Sequence, residues 1–410
     1  VATLRSKVEQ ALGKGINYIC PNHLPLPTIV CTVTNDITYD QRMQRICGSL
    51  ANAGYQVLLV GRKLPSSKQL PQFSFRTKRL YCFFNKGFAF YAEYNLRLFF
   101  FLLFTAADCF YAVDLDTILP NYFVSALRGK KRLYDAHELF TEMKEIVTRP
   151  ALQKFWLWVE RCTVPKFTYG YTVNQFIKAE LNKRYGVDYE VVRNMPLLDN
   201  RQQTIDDRGQ LEGNQAQKLH HQPPINNQQT GFIIYQGAVN EGRSFETLIP
   251  AMKQVNCQLV VCGEGNFFEQ AKKLIAENGL TNKINLKGYV HPQELRQLTP
   301  KALFGLTLFE NTGLNQYYSL SNRFFDYIMA GIPQVCVPYP EYKAINDEHN
   351  VALFVENTNV DSLVKALNLL MEDDALRKQL QQNCLSAKKQ LNWQNEEIKL
   401  LSYWLNVLPA

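Results

Sequence analysis

TIVCTVTNDITYDQRMQRICGSLANAGYQVLLVG, residues 28–61, reads as a strand, a helix and a second strand. TIVCTV is an apolar run ending in polar residues. Met43, Ile46 and Leu50 then recur at helical spacing, Gly54 stops that helix, and QVLLVG supplies the next strand. A strand, helix and strand in so short a segment call for a right-handed crossover, and hence for parallel strands covered on both faces.

The alternation continues outward from this unit. CFYAVDL and KRLYDAHE read as further strands, FWLWVERCTVPKFTYGYTVN as a helix running into a strand, and YEVVRNMP as a strand before Pro196. Residues 200–230 are Gln/Asn-rich with scarcely a bulky apolar side chain, so they read as a polar linker or insertion without a core. A second alternation starts at GFIIYQG and repeats through CQLVVCG, KINLKGYV, ALFGLTLF, PQVCVP and ALFVEN. The fold class is therefore α/β, with two Rossmann-like, doubly wound parallel-sheet domains facing a central cleft, over residues 1–199 and 231–385. Residues 386–410 hold an amphipathic C-terminal helix that crosses back to the N-terminal domain or packs on either domain. Ligands of such sheets bind beyond the carboxyl ends of the strands, which directs attention to the loops there.

Composition narrows the field. The 410 residues exceed what one hydrophobic core supports, and a hydrophobic share of 46% with 25 Phe and 21 Tyr excludes bulk disorder. Ten scattered cysteines, several inside apolar runs and none in a CxxC pair, read as reduced, mostly buried thiols of a cytoplasmic protein. With six His and no HExxH or HxH, a dedicated transition-metal site is not expected. The longest apolar run, LFFFLLFTAA from Leu98 to Ala107, falls short of the roughly 20 residues that cross a bilayer. VATLRSKVEQALGKG carries no signal-peptide h-region, so the expectation is a soluble protein, peripheral at most on the inner face of the plasma membrane. The net charge of +8 is uneven: Gln41 to Ala92 contains nine Lys or Arg and no Asp or Glu. Such a field favours anionic partners or is a solvated basic face. Neither a zinc-finger spacing nor an RNA-binding aromatic signature is present, so no nucleic-acid partner is expected.

Two segments of the second half carry candidate chemistry. In YQGAVNEGRSFETLIPAM, residues 235–252, a strand ends at Gln236, glycines stand at 237 and 242, and a helix follows with Phe245, Leu248, Ile249 and Met252 inward. Backbone N–H groups at that helix start, with the fork of Arg243, suit phosphate. The pattern is neither Walker A nor GxGxxG, so an ordinary strand-to-helix turn is the equal alternative. In LSNRFFDYIMAGIPQVCVP, residues 320–338, Ser321 caps a helix, Gly331 ends it in left-handed geometry and Pro333 follows. Phe324, Phe325 and Ile328 face the core and leave Asn322, Arg323 and Asp326 on the other side. Arg323 and Asp326 are then either a surface ion pair or groups aimed into the cleft.

In this order and spacing, GAVNEGRSFETLIPAM, LVVCGEG, NLKGYVHPQEL and SLSNRFFDYIMAGIPQV, with TNDITYDQR and YDAHELF in the first half, resemble the retaining glycosyltransferases of family 4, which have the GT-B fold. The likeness covers most of the chain apart from residues 1–27 and 200–230. It implies transfer of a sugar from a nucleotide-diphosphate sugar to a saccharide or lipid-linked acceptor with retention, without metal or other cofactor. It places Asp326 on the ribose hydroxyls, where the family usually has Glu, and Tyr318 where many members carry a second acid. Asn315 or Gln316 would then serve the sugar hydroxyls. Arg243 matches one of two basic residues that meet the diphosphate; the other falls near Ala238, and Arg323 is the candidate substitute. Gly237, Gly242 and Asn322 belong to the same donor side, while Gly263, Glu264, Gly265 and Tyr289 line the base.

His137 and Glu138 stand after a strand and are assigned, with Arg243, to the catalytic face, although a lone His is more often a structural hydrogen-bonder. The family's more usual His position is Val113, beside Asp114. Asp36, Asp40, Arg42 and Asp114 are assigned to the acceptor side, a helix cap being the equal alternative for Asp40. A nucleotide-sugar epimerase of the same architecture and a catalytically silent nucleotide-sugar-binding protein are the rival readings. The acid-free stretch, with the aromatic run Phe84–Phe104, would suit an acceptor on an anionic lipid surface. The preferred reading makes that run a buried helix of the first domain.

Overall fold

The computed structural model describes residues 27–38, 40–198 and 231–409; the expected linker over 200–230 and Cys20 lie outside them. The first sheet contains β1 (Thr28–Thr32), β2 (Gln56–Lys63), β3 (Arg76–Tyr81), β4 (Cys109–Val113), β5 (Lys131–Ala136), β6 (Tyr169–Thr172) and β7 (Glu190–Val191). Its order is β3-β2-β1-β4-β5-β6-β7, and every pairing is parallel. The second sheet contains β8 (Phe232–Gln236), β9 (Gln258–Cys262), β10 (Ile284–Gly288), β11 (Phe304–Thr307), β12 (Gln334–Cys336) and β13 (Ala352–Phe354). Its order is β10-β9-β8-β11-β12-β13, again parallel. In both sheets the strand order reverses beside the first strand, at β1/β4 and β8/β11, the kind of position where open α/β sheets bind ligands.

The described residues form two compact units. One comprises those of Val1–Asn194, Thr312–Leu320 and Gln394–Ala410, and the other those of Met195–Asn311 and Ser321–Trp393. In the first, helix α1 (Gln41–Asn52) begins where Asp40 accepts a 3.0 Å hydrogen bond from the Met43 N–H, and it buries Met43, Ile46, Cys47 and Leu50. Helix α2 (Gly87–Leu103) buries Phe90, Tyr94, Leu98 and Leu102, one stripe at i, i+4 spacing, in a cluster with Val30, Leu58, Val60 and Phe110. The aromatic run is therefore buried on one side only, because a helix laid on a sheet covers one stripe and Leu96 and Phe100 point the other way. Helix α3 (Ile118–Leu127) packs beside it.

In the second unit, α4 (Phe245–Ala251) buries Phe245, Leu248 and Ile249, and Met252 just beyond it is buried as well. Helix α5 (Asn322–Ala330) ends at Gly331, whose φ of +72° is the left-handed cap its sequence announces. The C-terminal helix α6 (Trp393–Val407) lays Trp404 against Tyr55 and Tyr111 of the first unit's sheet region, with ring centroids at 6.2 and 6.0 Å. All nine described cysteines are free thiols, eight of them buried, as expected for a reduced protein.

Candidate functional site

Each unit gathers polar side chains at the carboxyl ends of its strands. In the second unit the chain leaves β8 at Gln236 and turns through Gly237 (φ +116°) and Gly242 (φ +75°) into α4, while β9 opens into Gly263 (φ +154°). A Cβ on Gly263 would stand 1.8 Å from the Gly237 carbonyl oxygen, and one on Gly265 2.2 Å from Asn240 Oδ1. The two loops touch so closely that only glycine fits there. The Val239 N–H donates to the Glu264 carbonyl at 3.0 Å, and Glu264 Oε1 accepts from the Tyr289 N–H at 3.2 Å. Gly237, Gly263, Glu264, Gly265 and Tyr289 thus form one layer of three joined loops.

Helix α5 presents Asn322, Arg323 and Asp326 to a cavity of about 250 Å³, lined also by Gln236, Gly237, Ala238, Leu295 and Ser321. Ser321 occupies the N-cap position, though its side chain makes no capping bond. Asn322 is exposed and Asp326 half-buried, whereas Arg323 is only 6% exposed. The surface ion-pair alternative fails for that reason. The Arg323 guanidinium carbon lies 4.3 Å from the Tyr235 ring centroid and 5.2 Å from that of Phe309, and the Arg243 carbon lies 4.2 Å from Phe309. One buried phenyl ring therefore brings both guanidiniums together. Arg323 Nη1 has no hydrogen-bond partner among the described residues. Burial works against its charge, but Tyr235, Tyr327 and Tyr342 outweigh it and raise the pKa above the ordinary arginine value. Thr299 Oγ1 donates to Gln236 Oε1 at 2.8 Å, which leaves the Gln236 amide N–H to donate to Asp326 Oδ2 at 3.1 Å. Gln236, Tyr235 and Phe309 are site-forming residues that sequence reasoning missed; only the place of the first two at the end of β8 hinted at them.

In the first unit, Asp135 near the end of β5 is fully buried and satisfied from three sides. Arg42 Nη2 meets its Oδ1 at 2.9 Å, while the Tyr111 hydroxyl donates to Oδ2 at 2.7 Å and His137 Nε2 lies 2.9 Å from Oδ2. Burial pushes the His137 pKa down and its carboxylate neighbours raise it; Asp135 and Asp114 prevail, and it reaches about 9. The protonated ring therefore donates Nε2–H to Asp135, and Arg42 Nε turns to the same carboxylate at 3.3 Å. Burial disfavours the Asp135 charge, yet Arg42 and His137 hold its pKa well below the usual carboxylate range. The third Arg42 contact is its Nη1 donating to the Val192 carbonyl at 2.8 Å.

Beside this network stand three carboxyls that burial pushes upward: Asp114 to about 6, Asp116 to about 7 and Glu138 to about 7. Asp114 has φ +52° and accepts from the His137 N–H at 2.9 Å. Asn315 belongs to this unit, its Nδ2 donating to Glu138 Oε2 and its Oδ1 accepting from the Leu139 N–H, both at 3.0 Å. Gln316 lies in the same segment, and Tyr318 stacks on Phe176 at 5.4 Å. Asn315 is thus tied to Glu138 within the first unit, and Gln316 follows it in the same segment. Asp40 is a helix cap, and Asp36 is engaged by Thr38, Ser67 and Arg79. Among the described residues, no group of three or more His, Cys, Asp or Glu is arranged to hold a metal ion.

Residues 216–386 match the family described as glycosyl transferases group 1. Sucrose-phosphate synthase from Thermosynechococcus elongatus superposes with a TM-score of 0.70 at 15% identity, covering 93% of this chain and 99% of that one. The fold is GT-B. A glycosyltransferase from Rickettsia africae gives 0.69 at 12% identity over 94% of this chain and 99% of its own, and Anabaena HepE in complex with UDP-glucose gives 0.68 at 10% over 93% and 100%. No curated protein matches the sequence. The group 1 match supports a glycosyltransferase as the class of enzyme carried on this GT-B frame.

Proposed function

We propose that the chain is a retaining glycosyltransferase of family 4 that moves a hexosyl group from a nucleoside diphosphate sugar to a hydroxyl of a saccharide or lipid-linked acceptor. The observation that carries the reading is Arg323, buried with Nη1 unsatisfied, sharing Phe309 with Arg243 and lining one cavity with Asp326. Two guanidiniums packed on one ring concentrate positive charge, and the open Nη1 of Arg323 suits a diphosphate, which a guanidinium fork meets bidentately. The group 1 match and the UDP-glucose complex of Anabaena HepE support this donor class.

In this reading Asp326, oriented by Gln236, accepts from the ribose hydroxyls, and the layer from Gly263 to Gly265 with Tyr289 meets the base. Gly237, Gly242 and Asn322 complete the donor side. The bond between the anomeric carbon and the diphosphate oxygen breaks with its electron pair on the diphosphate, where Arg243 and Arg323 balance the charge. The acceptor oxygen bonds to the anomeric carbon on the same face and its proton passes to the departing diphosphate. Asp114 and Glu138, whose carboxyls are raised to about 6 and 7, hydrogen-bond the acceptor, and cationic His137 lies beside Asp114, its Nδ1 3.5 Å from Asp114 Oδ2. The guanidiniums serve in place of a metal ion, polysaccharide biosynthesis is the setting, and the free thiols suit the cytoplasm.

A thermal-shift series with UDP, GDP, ADP and their sugars tests the donor, since a ligand at a hundred times its Kd stabilises by about 2.7 kcal/mol. Arg243→Ala and Asp326→Ala are expected to lose donor affinity by about tenfold or more with the unliganded melting temperature nearly unchanged. Wild-type affinity in both would refute the donor site. An inverted product anomer, read by NMR, would refute retention, and loss of turnover in EDTA would refute metal independence.

A further inference from the structure

Helix α2 is apolar on the side it shows to solvent. Its buried stripe has a counterpart two residues on, Ala92, Leu96, Phe100 and, just past the helix end, Phe104, with Leu96 59%, Phe100 52% and Phe104 83% exposed. The loop leading into the helix adds Phe83 at 71%, with Phe84 also exposed, and the first turn adds Phe88 at 74%. A helix resting on a sheet ordinarily carries a polar outer face, and contiguous exposed aromatics mark a covered surface.

The one acid on α2, Glu93, is consumed locally. Its Oε1 accepts from the Phe83 N–H at 3.0 Å and Arg97 Nε at 2.8 Å, and its Oε2 accepts from the Phe84 N–H at 3.0 Å. It thereby pins the aromatic loop to the helix. Basic residues flank this face. Lys86 stands at the N-cap of α2, and Arg128 caps its other end by donating to the Leu102 carbonyl at 3.1 Å. Leu80 of edge strand β3 packs into the α2 cluster, so strand alternation puts Lys78 and Arg76 on the same side of the sheet. No acid occurs from Gln41 to Ala92 to offset them.

We propose that this face docks on an anionic lipid bilayer, the aromatic side chains entering the headgroup boundary while the basic rim meets acidic headgroups. No described helix is long and apolar enough to cross a membrane, so the contact is peripheral. A polar protein partner would leave the phenyl rings unmatched, and a second copy of this face would set its cations against their own kind.

Co-sedimentation of the full chain with phosphatidylcholine vesicles, with and without phosphatidylglycerol, tests the proposal. Wild type is expected to pellet with the acidic vesicles only and to be released by salt. Phe100→Glu/Phe104→Glu should weaken binding at least about tenfold, and Lys86→Glu by roughly fivefold or more, with far-UV circular dichroism unchanged. Phe83→Ser/Phe88→Ser serves as the second variant should the helix pair disturb folding. Wild type remaining in the supernatant overturns the proposal. So does a dimer in sedimentation velocity that the Phe100/Phe104 variant dissociates while vesicle binding persists, which would make the face a subunit interface. The readout is binding alone, so it is independent of the donor-site reading.

Discussion

Arg42 in the first unit and Arg323 in the second are both buried arginines, and they differ in what satisfies them. Arg42 spends its guanidinium on Asp135 and the Val192 carbonyl, while Asp135 is completed by Tyr111 and His137. Arg323 lies over Tyr235 and Phe309 with Nη1 unsatisfied. A closed network of that kind holds elements of one unit together. A buried cation whose hydrogen bonds are incomplete costs stability until something external completes them. The first arrangement is a strut; under the proposed function the second is a receptor.

The sharpest way to test the contrast is to remove one charge from each. Asp135→Asn leaves Arg42 and protonated His137 buried against a neutral side chain, and is expected to cost about 3–5 kcal/mol, read from the midpoint of urea unfolding. Arg323→Met keeps the volume and removes a charge the fold does not complete. The unliganded protein should be as stable as wild type or slightly more so, while donor affinity drops roughly 30-fold, about 2 kcal/mol, by titration calorimetry. Were Arg323→Met to destabilise the fold as Asp135→Asn does, the distinction between strut and receptor would fail.

A smaller effect sharpens the first half of the contrast through pH. The folded pKa of His137, about 9, lies above its ordinary value of 6.5, so its contribution is complete below 6.5 and lost as pH rises through 9. Asp114, Asp116 and Glu138 are also raised, to about 6, 7 and 7, so theirs are complete below the ordinary carboxylate range and lost earlier in the same direction. Stability should therefore fall from mildly acidic pH towards 9. His137→Gln should flatten the upper part of that decline, worth about 2 kcal/mol once partial exposure is allowed for, and leave the lower part in place. An unchanged slope above neutrality would mean that His137 is not held protonated by Asp135.

The alternating strands were legible because parallel strands covered on both faces are written as near-continuous apolar runs such as IVC in β1 and LVVC in β9. The end of α5 was legible too, since a helix stop beside Gly331 and Pro333 is local chemistry. Arg323 was harder. Helical spacing puts it with Asn322 and Asp326, but its burial is imposed by Tyr235 and Phe309, which reach it from the end of β8 and the loop after β11. Arg42 had a polar loop as its sequence neighbour, and only folding brings it to Asp135, 93 positions away. Asn315 sits near the donor motifs in sequence and beside Glu138 in space. In the aromatic run of α2, composition signals that apolar surface must be covered and says nothing about which stripe the sheet covers.

The amino-acid order by itself determined the doubly wound architecture, the turns that need glycine and the residue types available for the proposed donor, because these depend on periodicity and backbone freedom within a few residues. Which charges are satisfied within the fold and which are left incomplete was decided only by the tertiary structure, because pairing of buried groups depends on side chains that meet from distant strands, and no local pattern records where they converge.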